Sequence, residues 1–154
     1  TLLIPGFNDS TDEVTRLTEF VAGVSPDIPW HVTAFHADYK MDDTPDTTPE
    51  MLWHAAEIGR RSGLRFVYAG NLPGEVGDLE HTRCPSCGDT LIARRGYHIR
   101  DYRLTSDGCC PSCGASVPGR FDARFAGQVT SRPVAVRSRS WRADDESGDV
   151  IKLR

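Results

Sequence analysis

No apolar run in these 154 residues approaches the ~20 that a membrane-crossing helix needs, so no span is expected. No secretory leader is expected either: Thr1-Leu2-Leu3-Ile4 runs straight into Pro5-Gly6, without a basic start or a small-residue cleavage site. Neither sign of charge is in large excess. The net charge is −4 and the pI about 5.7, which gives no global attraction to nucleic acid or to an anionic membrane. Hydrophobic residues make up 38% and charged ones 26%, enough for a core but not a generous one. The length suits one domain, or a small domain with a module attached. An initiating methionine is also missing, and the first residues already read as a buried strand with few strand neighbours to follow. The sequence is therefore expected to be the C-terminal part of a longer protein.

What is present begins with an alternation of strands and helices. Residues 2–5 are an apolar run closed by Pro5-Gly6, a short buried strand. Asn8-Asp9-Ser10 open a helix, with Ser10 and Glu13 spaced as a capping box and acids in the first turn. Val14, Leu17, Phe20, Val21 and Val24 recur at helical spacing and predict one apolar face, ended by Ser25-Pro26. Trp30 to Phe35 reads as a second strand, followed by a polar loop from His36 to Thr48. Thr48-Pro49-Glu50 supplies an N-cap and a first-turn proline for a second helix reaching about Ser62. Leu52, Ala55, Ala56 and Gly59 form its close-packing side, and Gly63 is its C′ residue. Leu64 to Ala69 reads as a third strand. Strand, helix, strand, helix, strand with short links predicts parallel βαβ units, a piece of a sheet or barrel.

Residues 71–83, with Pro73, Gly74 and Gly77, read as a linker to a cysteine module at 84–118. Residues 119–154 read as an arginine-rich, flexible tail. Between Arg120 and Arg142 six arginines face one acid, Asp122, and Val134 and Val136 could add a strand.

The module carries the sharpest motif. Cys84-Pro85-Ser86-Cys87-Gly88 and Cys110-Pro111-Ser112-Cys113-Gly114 are one five-residue pattern written twice. A two-residue spacer lets both thiolates of a pair reach one ion. Glycine behind the second cysteine can take φ > 0 and turn backbone amides toward the sulfurs. Two such knuckles make a closed four-thiolate tetrahedron, which suits structural zinc and leaves no open position for a substrate. Iron in a rubredoxin-like site has the same ligands. Redox chemistry of C-P-x-C pairs is the other reading, but it expects one pair at a helix N-terminus rather than two flanking a hairpin. The 22 residues between Cys87 and Cys110 fit that hairpin: Thr90 to Arg94, a bend at Gly96, then Tyr97 to Leu104. So small a module has little core of its own, and the metal is expected to supply most of its stability. Cys109 is read as a spare thiol. Thiolate pairs without a leader point to a reducing, cytoplasmic compartment.

The stretches Leu2-Leu3-Ile4-Pro5-Gly6-Phe7-Asn8-Asp9, Pro29 to Met41 (PWHVTAFHADYKM) and Val67 to Gly74 (VYAGNLPG), with the two CPxCG knuckles, resemble one known family in order and spacing. They look like the C-terminal part of the AmmeMemoRadiSam-system radical SAM enzymes, relatives of pyruvate formate-lyase activating enzymes. The resemblance covers roughly residues 1–119, and the segment from Trp30 to Met41 is its most specific part. It implies an α/β fold, the C-terminal part of a partial (β/α) barrel over residues 1–70, followed by a small β zinc ribbon. It implies S-adenosylmethionine and a [4Fe–4S] cluster as cofactors, with zinc in the ribbon, and an enzyme that cleaves S-adenosylmethionine reductively. The family's cluster ligands lie in a C-x3-C-x2-C loop that this sequence lacks, since nothing follows the Cys109–Cys113 spacing with a further cysteine. The chain alone is thus expected neither to hold the cluster nor to turn over.

Carried over by position, His36 falls just past the second strand, where the family's matching histidine lies against S-adenosylmethionine. Asn71, at the end of the third strand, is a second candidate of the same kind. A loop histidine bonded to Asp38 or to backbone is the alternative for His36. His31 reads as a strand residue, His54 as a surface one, and His81 and His98 as neighbours of a metal shell already complete. Trp30 and Trp53 read as packing residues. The substrate is open, with a protein among the candidates; nucleic acid is not expected. The alternative function is a non-enzymatic zinc-ribbon adapter for protein or RNA, its arginine-rich tail supplying the attraction.

Overall fold

The computed structural model describes residues 1–38, 40–41 and 43–121. Strand β1 spans Leu2–Leu3, helix α1 Thr11–Val24, strand β2 Trp30–Ala34, helix α2 Pro49–Arg61 and strand β3 Val67–Gly70. The strands form one parallel sheet in the order β1-β2-β3, with Leu2 opposite Thr33 and Trp30 opposite Val67. This is the βαβα-β order that the alternation predicts. β1 stops short of residue 5 because the Ile4 carbonyl turns to accept from the amides of Phe7 and Asn8, so it cannot continue the ladder.

Both helices start where their caps say. The Ser10 side chain accepts from the Glu13 amide and the Thr48 side chain from the Met51 amide, with Pro49 at the first position of α2. α2 leaves its last turn through Gly63 at φ +99°, a conformation glycine takes without penalty. Leu52, Ala55, Ala56 and Ile58 are buried against Trp30, Val32 and Ala34 of β2 and Val67 and Ala69 of β3. Gly59 is where helix and sheet approach most closely: a Cβ there would lie 2.8 Å from the Trp30 ring.

α1 departs from its pattern. Of the five apolar positions only Val14 is fully buried, Val21 is partly packed, and Phe20 is 74% exposed. Leu17 and Val24 are also exposed. The helix is turned so that a polar residue, Thr18, sits at the contact with α2. There its hydroxyl bonds the Val14 carbonyl at 2.8 Å and meets Ser62 Oγ at 2.8 Å. Trp53, read as a packing residue, is half exposed on α2, whereas Trp30 is buried as expected. No described helix is long and apolar enough to cross a membrane.

The 71–83 connection, read as a linker, contains short elements of its own. Gly77–Glu80 forms a 3-10 turn that buries Val76 and Leu79 in the α/β core, and Thr82–Arg83 forms β4. β4 pairs antiparallel with β5 (Thr90–Arg95), which pairs antiparallel with β6 (His98–Tyr102). The ribbon is accordingly a three-stranded sheet rather than a bare hairpin.

β3 joins the two layers. Val67 and Ala69 belong to the α/β core, while Phe66 and Tyr68 pack with Cys84, Leu91, Tyr102, Leu104, Cys110 and Val117 in a second core. A strand buried on both faces explains the unbroken apolar run that marks it in the sequence. The module thus has more core than its length suggests, because the α/β unit lends it two aromatic side chains. The arginine-rich tail from residue 122 onward, including the strand read at Val134 and Val136, lies outside the described residues.

Candidate functional site

The two knuckles are built alike, bond for bond. In the first, the Cys84 amide donates to the Asp89 carbonyl at 2.8 Å and the Gly88 amide to the Cys84 carbonyl at 2.9 Å. In the second, Cys110 donates to Ala115 and Gly114 to Cys110, both at 2.9 Å. Gly88 and Gly114 have φ of +77° and +73°, the left-handed values the motif requires. A polar clasp joins the loops: Asp89 accepts from Ser112 of the other knuckle and from Arg103 at 3.0 Å. These bonds, Ser112 first and then Arg103, hold the Asp89 carboxyl below its usual value.

The four sulfurs of Cys84, Cys87, Cys110 and Cys113 all lie within 4.8 Å of one another. Cys84 to Cys113 and Cys87 to Cys110 are each 3.7 Å. A tetrahedral ion bonded to sulfur at ~2.3 Å has sulfur–sulfur edges of about 3.8 Å, so the residues fit such an ion. The cluster could hold a metal ion such as zinc, with one pair from each knuckle. Among the described residues no other group of metal-capable side chains converges in this way.

Electrostatics favour a cation at the centre. Burial opposes ionisation of Cys84, but the amides of Cys87 and Ser86 and the neighbouring sulfurs outweigh it and lower its pKa to about 7. At Cys87 the Asp89 amide favours the thiolate, yet desolvation and the three surrounding sulfurs push the group up to about 12. Cys113 is raised as well: the Ala115 amide and Cys87 favour its thiolate, but desolvation with Cys84 and Cys110 prevails. Four sulfurs this close cannot all ionise by themselves. A divalent cation relieves their repulsion and would release protons as it binds. Cys109 stands outside the cluster, its amide bonded to Thr105 Oγ1 at 2.9 Å, which leaves Cys110 as the ligand position. His81 is likewise engaged elsewhere. Its Nδ1 accepts from the Arg94 amide at 3.2 Å.

A second feature lies at the C-terminal ends of β2 and β3. His36 Nε2 is 3.2 Å from the Asn71 carbonyl, and Asn71 Nδ2 donates to the Ala34 carbonyl at 3.1 Å. Asn71 takes φ +67°, a conformation asparagine adopts more readily than most residues. The carboxylate beside His36 on the other side is that of Asp46, with Nδ1 to Oδ2 at 3.6 Å, and not that of Asp38, which is nearer in sequence. Asp46 also accepts from the Ala37 amide at 2.6 Å, drawing the loop ends together.

His36 and Asn71 border a cavity of about 450 Å³ that His31, Thr33, Tyr68 and Gly70 line from the parallel sheet. Glu80, Arg94, Gly96 and Tyr97 close it from the ribbon side. His31, read only as a strand residue, stacks on Tyr68 with ring centroids 4.7 Å apart. Its neighbours, 37 residues on in β3 and farther still in β5, leave no trace in local periodicity. His54 contacts Thr11 Oγ1 at 3.3 Å on the helix surface, and His98 is exposed at the start of β6. Of the cofactors the resemblance implies, the [4Fe–4S] cluster finds no ligands here: four cysteines share the ribbon cluster and Cys109 is alone.

The fold and these sites define a small parallel α/β unit sharing a core with a four-cysteine antiparallel ribbon. No family model matches the chain. No solved structure matches it either. It is similar to an uncharacterized protein of Methanocaldococcus jannaschii, 36% identical over 118 residues that make up 75% of this chain and 35% of that protein. The chain thus spans about a third of that relative's length.

Proposed function

We propose that this chain is the rear part of a radical SAM enzyme of the activating-enzyme kind, carrying a zinc ribbon that is structural. The observation that carries the reading is the meeting of His36 and Asn71 beside one cavity at the C-terminal ends of parallel strands. Ligands of parallel α/β folds gather at those ends. The motif resemblance assigns the same two residues to S-adenosylmethionine. When bound in such an enzyme, S-adenosylmethionine is the source of a radical formed by reductive cleavage. The described residues have a narrower task. His36, steadied by Asp46, and Asn71, fixed by the Ala34 carbonyl, would contact the cofactor at the rim. The four cysteines would hold zinc and brace the cavity's far wall.

The test is made on the protein at its full natural length, reconstituted with iron and sulfide without oxygen. Reductant-dependent conversion of S-adenosylmethionine to 5′-deoxyadenosine is expected, with His36→Ala raising the cofactor concentration needed. A well-folded, cluster-loaded protein that yields no 5′-deoxyadenosine rejects the reading. A ribbon adapter is the second reading, and the ribbon's hairpin tip favours it: Tyr97 is 81% exposed beside Arg95, His98 and Arg100. Salt-dependent RNA or protein capture by the chain, lost on replacing Tyr97, would support that instead.

A further inference from the structure

We propose that the cavity between the parallel sheet and the ribbon binds the oxyanion of a small molecule, a carboxylate or a phosphate, with Arg94 of β5 as its anchor. The proposal stands on the cavity's own geometry and does not need the radical SAM reading.

Arg94 is held before any ligand arrives. Its Nε donates to the Glu80 carbonyl at 3.0 Å, and its backbone amide donates to His81 Nδ1. Its Cζ lies 5.0 Å from the centre of the Tyr68 ring. Tyr68 is itself fixed, its hydroxyl 3.1 Å from Thr82 Oγ1 in a buried contact. Such restraint spends the rotamer entropy of the arginine in folding rather than in binding. One guanidinium nitrogen is used, and among the described residues the two terminal nitrogens have no hydrogen-bond partner, so the planar fork remains for an anion.

The acid nearest to hand does not neutralise it. Glu80 is buried and borders the same cavity, but its Oε1 accepts from the amides of Gly96 at 2.9 Å and Gly74 at 3.3 Å. That carboxylate ties the 3-10 turn to the hairpin. Among the described residues no ion pair joins it to Arg94. His31 and His36 line the same cavity as Arg94. Burial first, then the Arg94 charge and the amino terminus, hold the His31 pKa below its ordinary value. A neutral imidazole can accept a hydrogen bond from the ligand or donate one to it, and an anion bound in the cavity beside it would favour its protonation. The stacked His31–Tyr68 pair also lines the cavity and offers aromatic surface to the rest of the molecule. A fixed fork, an aromatic lining and about 450 Å³ of space suit a small anionic metabolite rather than a polymer.

The test uses the full 154-residue chain loaded with zinc, titrated separately with inorganic phosphate and with succinate while the His31 ring signals are followed by NMR. Saturable, millimolar binding of at least one probe that moves the His31 signals is expected, and the stronger probe identifies the anion's source. Arg94→Gln should weaken that binding by about tenfold to a hundredfold, the weight of a charge-assisted bond. Arg100→Gln, which removes the same charge from the hairpin but does not line this cavity, should leave it unchanged. If neither probe saturates, or if Arg94→Gln and Arg100→Gln weaken binding equally, the proposal is wrong. The His31 signals of the unaltered protein decide the matter even if Arg94→Gln fails to fold. Cleavage of S-adenosylmethionine by the full-length protein is measured separately, so either reading can fail alone.

Discussion

The two halves of the molecule are held together in different ways. In the α/β unit cohesion is spread over fourteen buried side chains, drawn from two helices, three strands and the connections that follow them. In the ribbon it is concentrated: eight residues form the core, two of them lent by the neighbouring unit, and four sulfurs converge at one point. Distributed packing yields to damage by degrees, whereas a structure closed by one ion stands or falls with it.

The largest expected effect tests that contrast directly. Stripping the metal with a chelator, or replacing Cys87 or Cys113 with Ser, removes a binding energy on the order of 10–16 kcal/mol. Residues 84–118 should then become protease-sensitive, while the backbone amides of α1 and α2 keep their exchange protection. A ribbon still resistant to protease would show that its shared core suffices.

Next in size is a matched pair of truncations. Leu52 in α2 and Leu91 in β5 are both fully buried, so each change to Ala should cost about 2–5 kcal/mol in the metal-loaded protein. After chelation only Leu52→Ala should still register in the unfolding free energy, because the ribbon around Leu91 has already opened. Equal losses in both states would mean that the ribbon folds without metal.

Gly59→Ala should be smaller. The added methyl would press on Trp30 and cost about 1–3 kcal/mol, offset in part by about 1 kcal/mol of helix propensity. A melting temperature that rises instead would show that Trp30 yields freely.

The smallest effect concerns pH. The His31 pKa is lowered on folding, so the unfolded chain takes up the proton first as the solution is acidified. Its contribution is intact above the ordinary value of 6.5 and is lost as pH falls through the lowered one. Because acid also loosens metal, the informative quantity is the difference between the native chain and His31→Gln. That difference should fade above pH 7 and grow in favour of the variant on acidification; a constant difference would remove His31 as its source.

Features settled by neighbouring residues were legible from the sequence. Ser10 with Glu13, Thr48 with Pro49, and the glycine after each knuckle announce their roles within five residues, since caps and turns are local chemistry. The four-cysteine cluster was equally plain, as the repeated spacing leaves little else for it to do. Pairings set by the way elements pack were not legible. The roll of α1 that puts Thr18 inward and Phe20 outward depends on Ser62 of another helix. The partner of His36 is Asp46, brought round by Thr47, whose amide donates to the Phe35 carbonyl at 3.0 Å. Short β4 carries no alternation to read, and its pairing with β5 comes from the chain's return. His31, Tyr68 and Arg94 belong to three strands of two sheets, so no window on the sequence contains them together.

Tyr68 sits where all of this meets. Its ring lies against the sulfur-bearing module, stacks with His31 and underlies Arg94, while its hydroxyl ends at Thr82. One side chain therefore serves as keystone for the four-cysteine layer and as part of the lining of the cavity beside it. Its size cannot be adjusted for one task without unsettling the other, and any shift of the ribbon would be delivered, through that ring, to the place where a ligand would lie.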